Sequence, residues 1–153
     1  MVKDVKDYRR IAKELVCEKD KVLELGCGSG KTTLLLSKIS AKVLALDRSP
    51  KEYLRAKERL KKCLNVYVEN VDAWNITEVR KLVLKNLNGE VDVLMVDLGG
   101  AEDPGKILSL TWRYLKVFKP KLVMIKNRLL SKFLEQSQTL NNSFGMMNTP
   151  EKD

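Results

Sequence analysis

Histidine is absent from the 153 residues. That removes catalytic triads built on a histidine base, histidine-ligated zinc and imidazole acid–base work. Cysteine occurs three times, at Cys17, Cys27 and Cys63, an odd count without a CxxC pair. Such a pattern disfavours a disulfide framework and a cysteine-rich zinc site, and no metal is expected. Packing is the expected role of Cys17 and Cys63. No apolar run approaches the roughly 20 residues of a membrane-spanning helix, so no membrane partner is expected. The opening MVKDVKDYRR is charged and no apolar stretch follows it, unlike a signal peptide. A soluble, cytoplasmic protein is the expectation, in line with the reducing compartment that the cysteine usage suggests.

What remains suits a globular domain. Hydrophobic residues make up 44% and charged residues 32% of the chain, enough apolar material for one sizeable core. The length fits a single domain over residues 1–140. The stretch 141–153, with NNS, Gly145 and TPEKD, has the composition of a flexible tail. The net charge of +9 favours anionic partners, whether nucleic acid, acidic lipid or phosphorylated metabolites.

Apolar residues at 5, 8, 11, 12, 15 and 16 have helical spacing. Strands are expected at 22–25, 42–46, 66–68, 91–96 and 122–125. Helices are expected at 32–39, at 51–63 behind Pro50, at 77–87, at 104–118 and at 129–136. VDVLMV at 91–96 is nearly all apolar, as befits a strand covered on both faces. Five strands alternating with helices give an α/β, doubly wound, mostly parallel sheet with helices on both faces. Right-handed crossovers place the carboxyl ends of the strands on one edge, where ligands bind at the switch point. The residues just after each strand are therefore the ones to examine for chemistry.

The first strand runs into Glu24-Leu25-Gly26-Cys27-Gly28-Ser29-Gly30. Alternate glycines let backbone approach a ligand closely, although a tight strand-to-helix turn alone would also use them. Asp47 ends the second strand 21 positions after Gly26. A carboxylate about 20 residues beyond the first glycine is placed to accept hydrogen bonds from ribose hydroxyls. Arg48-Ser49-Pro50 leaves a turn or capping role for Asp47 open as well. Gly30-Lys31-Thr32 is also like the end of a phosphate-binding loop, and VLMVD at 93–97 is like the strand that accompanies one. The spacing fails, because that loop needs a glycine five positions before Gly30, and Leu25 stands there.

VLELGCGSG, then LALD, then Asn70-Val71-Asp72-Ala73 after the third strand, resembles the class I, Rossmann-like S-adenosylmethionine-dependent methyltransferases. The likeness covers residues 20–126. It implies that Gly26, Gly28 and Gly30 line the methionine and ribose portion, with Glu24 beneath the methionine amino group. It implies that Asp47 holds the ribose, with Arg48 and Ser49 beside the adenine. Asp72 would accept from the adenine amino group, next to Ala73. Trp74 would either flank the ring or serve as a core aromatic. Asp97 ends the fourth strand and Lys126 the fifth. This pair resembles the strand-end acid and lysine of RNA 2′-O-methyltransferases, and makes both residues candidate catalytic groups; pairing at the rim is the alternative. Loose candidates for a further lysine are Lys3, Lys6 and Lys13.

The chain departs from that family in one respect. Its sheet ordinarily has seven strands, and only 27 residues follow Lys126. A truncated five-stranded form is expected. Two functions follow: a methyltransferase acting on RNA, a small molecule or a protein, with RNA slightly favoured, or a non-catalytic S-adenosylmethionine-binding subunit or sensor that needs a partner chain. The basic helix at 51–62 fits either a solvated face or a phosphate-binding surface. An apolar fifth strand at the sheet edge is expected to be covered, either by the final helix around Leu129–Leu134 or by a second copy in a homo-oligomer formed through that edge.

Overall fold

The computed structural model describes residues 4–99 and 102–145. It opens with helix α1 (Val5–Leu15) and continues through strand β1 (Lys21–Leu25), helix α2 (Lys31–Leu36), strand β2 (Lys42–Leu46) and helix α3 (Pro50–Leu60). Strand β3 (Val66–Glu69), helix α4 (Ile76–Leu87), strand β4 (Val93–Val96), helix α5 (Pro104–Phe118), strand β5 (Leu122–Ile125) and helix α6 (Arg128–Gly145) complete it.

Local chemistry sets the boundaries. Asp4 accepts from the Lys6 and Asp7 N–H groups and starts α1. Ser49 caps α3 and Asp103 caps α5, each followed by a proline, whose missing N–H and fixed φ suit the first helical position. Asn75 caps α4, and Asn88 ends it in the left-handed region before Gly89. Lys119 closes α5 in the same way, ahead of Pro120.

The five strands are parallel throughout, in the order β3-β2-β1-β4-β5. Side chains alternate across the sheet. Leu23, Leu25, Leu44, Leu46, Leu94 and Val96 face one way, with α4, α5 and Leu130 of α6 packed over them. Val22, Val43, Ala45, Val93 and Met95 face the other way, under Tyr8, Leu36, Ala56 and Leu60 of α1, α2 and α3. Both faces are covered, which is why β4 is apolar at every position. The chain leaves β1 toward β2 on one side and later returns to β4 on the other. The switch point thus lies at the carboxyl end of β1.

The α/β architecture expected from the sequence is the one observed. Helix α6 runs further than its apolar spacing indicates, reaching Gly145 rather than Gln136. Residues 141–145, expected to be irregular, are helical, and 146–153 lie outside the described residues. Polar SQTLNNS carries no apolar stripe, so periodicity could not register that extension. Cys17 is exposed in the turn before β1 rather than packed, whereas Cys63 is partly buried against the α3 side. Among the described residues no strand follows β5, and no helix is long and apolar enough to cross a membrane.

Candidate active site

A cavity of about 380 Å³ opens at the carboxyl ends of β1, β2 and β4. That size is within the range of small-molecule sites. Each wall comes from the segment following a strand, with α1 lying across one side.

The β1–α2 turn forms the floor. Its three glycines all have positive φ, for three different reasons. A Cβ at Gly26 would stand 2.1 Å from the Asp97 carbonyl oxygen, so that glycine lets the end of β1 pass the end of β4. At Gly30 a Cβ would press on Leu60 and Ala56 of α3, and Gly30 does not line the cavity. Gly28 has open space where its Cβ would be and borders the cavity directly.

Asp47 organises this turn. Its Oδ2 accepts from the Gly28 N–H at 2.8 Å and its Oδ1 from the Ser49 N–H at 2.8 Å. The turn role and the cavity role therefore coexist, because each carboxylate oxygen retains a lone pair. Ser49 is committed to capping α3 and stays outside the cavity. Arg48 lines it. The β3 end is tied to the β2 end by Asn70, whose side-chain amide donates to the Asp47 carbonyl at 2.8 Å. Asp72 and Ala73 follow on the cavity wall. The Ala73 carbonyl is anchored from beneath by the buried Tyr114 hydroxyl at 2.7 Å. Trp74 lines the cavity, is 40% exposed and has the Arg113 guanidinium 5.9 Å from its ring centroid. It is not a core aromatic.

Glu24 is 1% exposed, and its Oε2 accepts from the Thr33 hydroxyl at 2.6 Å. Burial pushes its carboxyl up to about 7; the Thr33 hydrogen bond and Arg9 oppose this, while Asp97 and Asp47 add to it. Cys27 is buried beside it. Burial, with Glu24 and Asp47 nearby, drives its thiol well above the ordinary range and leaves it unreactive.

The β4 and β5 ends meet at a charge pair. Lys126 Nζ donates to Asp97 Oδ2 at 2.5 Å, with both side chains under one-fifth exposed. Asp97 lines the cavity and Lys126 stands behind it. Buried Asn127 fixes the Lys126 backbone. Its Oδ1 accepts from the Leu130 N–H, and its Nδ2 donates to the Glu102 carbonyl. Lys6 and Lys13 are exposed and do not line the cavity, and Lys3 is outside the described residues.

Eight of the eleven sequence candidates thus converge: Glu24, Gly26, Gly28, Asp47, Arg48, Asp72, Ala73 and Asp97. Missed were Arg9, Thr32 and Glu102, which also line it. Arg9 follows Val5 by one helical turn, and that spacing was the available signal. In all, five carboxylates and three cations surround the cavity of a chain whose net charge is +9. Such a lining suits a ligand with positive charge. Among the described residues no group of histidine, cysteine, aspartate or glutamate side chains could hold a metal ion.

Comparison with known proteins gives a consistent result. Residues 22–116 match the family model described as a methyltransferase domain. A curated relative, the protein-L-isoaspartate O-methyltransferase of Pseudoalteromonas translucida, is 40% identical over 63 residues, which span 40% of this chain and 30% of that protein. A ribosomal RNA methylase from Streptococcus thermophilus superposes with a TM-score of 0.60 at 17% identity, over 90% of this chain and 80% of that one. Aeropyrum pernix fibrillarin, solved with natively bound S-adenosyl-L-methionine, superposes with a TM-score of 0.59 at 22% identity, over 74% of this chain and 48% of that one.

Proposed function

The chain belongs to the methyltransferase-domain family, and from that premise we propose that it binds S-adenosylmethionine at the β1–β2–β3 ends and transfers the methyl group to RNA at the Asp97–Lys126 edge. The observation that carries the reading is the convergence of Glu24, Asp47, Asp72 and Asp97 on one cavity. A cationic, ribose-bearing ligand fits that donor set, and Gly28 leaves open space for close approach.

S-adenosylmethionine supplies a methyl group on a sulfonium sulfur, so the leaving group departs neutral and needs no acid. The work left to the protein is positioning and charge. Asp47 accepts from the ribose hydroxyls through its remaining lone pairs. Asp72 accepts from the adenine amino group, beside Ala73 and Arg48. Glu24 faces the methionine ammonium. Asp97 stands in front of Lys126, where its carboxylate would take the proton of an attacking ribose hydroxyl while the ammonium behind it steadies the negative charge.

RNA is favoured by the basic exterior. Lys38, Lys51 and Lys62 on the α2–α3 side have no side-chain partner among the described residues and offer phosphate contacts. Half-buried Leu122 and Val123 on the β5 edge support pairing with a second copy there, which the mass in light scattering tests; a monomer at every concentration overturns it.

The decisive experiment has two steps. Calorimetry should show one molecule of S-adenosylhomocysteine bound per chain and no binding of ATP with magnesium. Labelled methyl groups from the cofactor should then enter nuclease-sensitive material in a cell extract. Tight ATP binding without a cofactor response overturns the cofactor assignment. Label that persists after nuclease but not after protease moves the acceptor to protein.

A further inference from the structure

The outer face of α4 and α5 has no task in the function above, and both tryptophans of the chain stand on it. Each ring has a cation beside it. The Arg113 guanidinium lies 5.9 Å from the Trp74 ring centroid, and the Lys116 ammonium 5.3 Å from that of Trp112. Trp112 is 59% exposed, although so large an apolar ring is ordinarily well buried. A hollow of about 440 Å³ lies between the two helices, lined by Arg80 and Leu84 of α4 and by Val117 and Phe118 of α5.

Helix geometry joins these parts. Val117 follows Arg113 by one turn of α5, and Arg80 lies in the second turn of the helix that Trp74 precedes. Trp74 also lines the cavity of the candidate active site. The surface therefore runs from that cavity, past Trp74 and Arg113, into the hollow.

Charge selects the occupant. Glu78 is paired with Lys81, and Glu102 with Lys106. Arg80, Arg113 and Lys116 make no ion pair among the described residues. An apolar protein surface docked here would bury those cations without an anion, which is costly. A single nucleic-acid strand brings a flat base for a ring and a phosphate for each cation, the two elements of single-strand sites. A duplex hides its base faces and can use the cations alone.

We propose that the α4–α5 face is a track for single-stranded RNA flanking the acceptor nucleotide, with Trp112 as a base-stacking platform and Arg80, Arg113 and Lys116 as phosphate contacts. This rests on the RNA-methyltransferase reading and adds to it that the acceptor lies in an unpaired segment.

The test uses the fluorescence of the two tryptophans. A short uridine oligomer titrated into the full chain should quench the emission, and an RNA duplex of the same length should leave it unchanged. Trp112→Ala should bind the oligomer about 10-fold more weakly, the scale of one lost base stack. Lys116→Ala should lower the salt slope of that binding by about one. Both variants should hold S-adenosylhomocysteine as tightly as wild type. Equal quenching by the duplex, or an unchanged oligomer affinity in Trp112→Ala, overturns the track and leaves RNA as the acceptor. A wild-type chain that binds S-adenosylhomocysteine but not the oligomer overturns the RNA acceptor and the track together. A dimer in light scattering that Trp112→Ala dissolves makes this face an interface between copies, and overturns the track as well.

Discussion

The two rims of the sheet use the same residue types to opposite ends. At the amino-end rim Asp20 is 2% exposed, and both of its oxygens are engaged: Oδ2 accepts from the Cys17 N–H and Oδ1 from the Lys121 ammonium. Its backbone carbonyl takes the Ala41 and Lys42 N–H groups. Asp92 receives the Lys21 N–H, and the Lys21 ammonium pairs with Glu90. At the carboxyl-end rim Glu24, Asp47, Asp72 and Asp97 also have partners, but each borders a cavity. A buried carboxylate enclosed by its own chain is part of the framework. One that keeps lone pairs toward open space can receive a ligand. Burial, charge and the number of bonds made do not separate the two cases; whether the remaining lone pairs face open space does.

Substitutions can break this contrast. The largest effect is expected at Lys126. Lys126→Ala should reduce turnover on RNA by about 100-fold or more, the scale of a lost acid–base group, while cofactor affinity holds. Equal turnover in variant and wild type would move the acceptor chemistry away from the Asp97–Lys126 edge.

Glu24→Gln probes the cost of leaving a carboxyl half-committed. Its folded value is raised from 4.5 to about 7, so the folded chain retains a proton that the unfolded chain releases across that window. The stability contributed by this group therefore falls as pH rises from about 4.5 to 7 and is level above. The ligand-free variant should be more stable than wild type at about pH 8, on the order of 3 kcal/mol, and equal near pH 4. Its cofactor affinity should drop. Denaturant titrations across pH check the slope, and parallel profiles would contradict it.

Asp47→Ala should weaken S-adenosylhomocysteine by about 10- to 100-fold, the cost of hydrogen bonds to a charged group. An unchanged affinity in calorimetry would reduce Asp47 to its turn bonds with Gly28 and Ser49. The smallest effect belongs to the other rim. Asp20→Ala should lower unfolding free energy by about 2 kcal/mol, since it removes a buried carboxylate that accepts from the Cys17 N–H and the Lys121 ammonium. Cofactor affinity of the folded fraction should not move. A selective loss of binding there would erase the distinction between the rims.

Much of this was legible in the residues, and the gaps have causes. The buried strands declared themselves, since VLMV and KVLAL are apolar on both faces. Caps at Ser49-Pro50 and Asp103-Pro104 fixed helix starts because each motif satisfies a specific backbone group. The site followed from parallel topology, which sends Glu24, Asp47, Asp72 and Asp97 to one edge. The glycines could not be told apart, because Gly26 and Gly30 answer to β4 and α3, partners distant in sequence. Arg9 was obscured for the same reason. Its meaning depends on Thr32, 23 positions away, and a charged residue beside a helical apolar stripe ordinarily faces solvent. Lys126 was expected among the lining groups and stands one layer back, since Asp97 occupies the position in front of it.

The contact at Gly26 also sets a dimensional tolerance. With a single hydrogen in place of a methyl group, the β1–α2 turn lies directly against the Asp97 main chain at the end of β4. No side chain stands between Gly26 and the Asp97 carbonyl as a compressible spacer. In the proposed transfer, the gap that the methyl group crosses would accordingly be gauged by main chain against main chain. A change of acceptor would have to be accommodated beyond Asp97, in the loop that starts at Leu98 and Gly99, because the donor side of the gauge has no room left to yield.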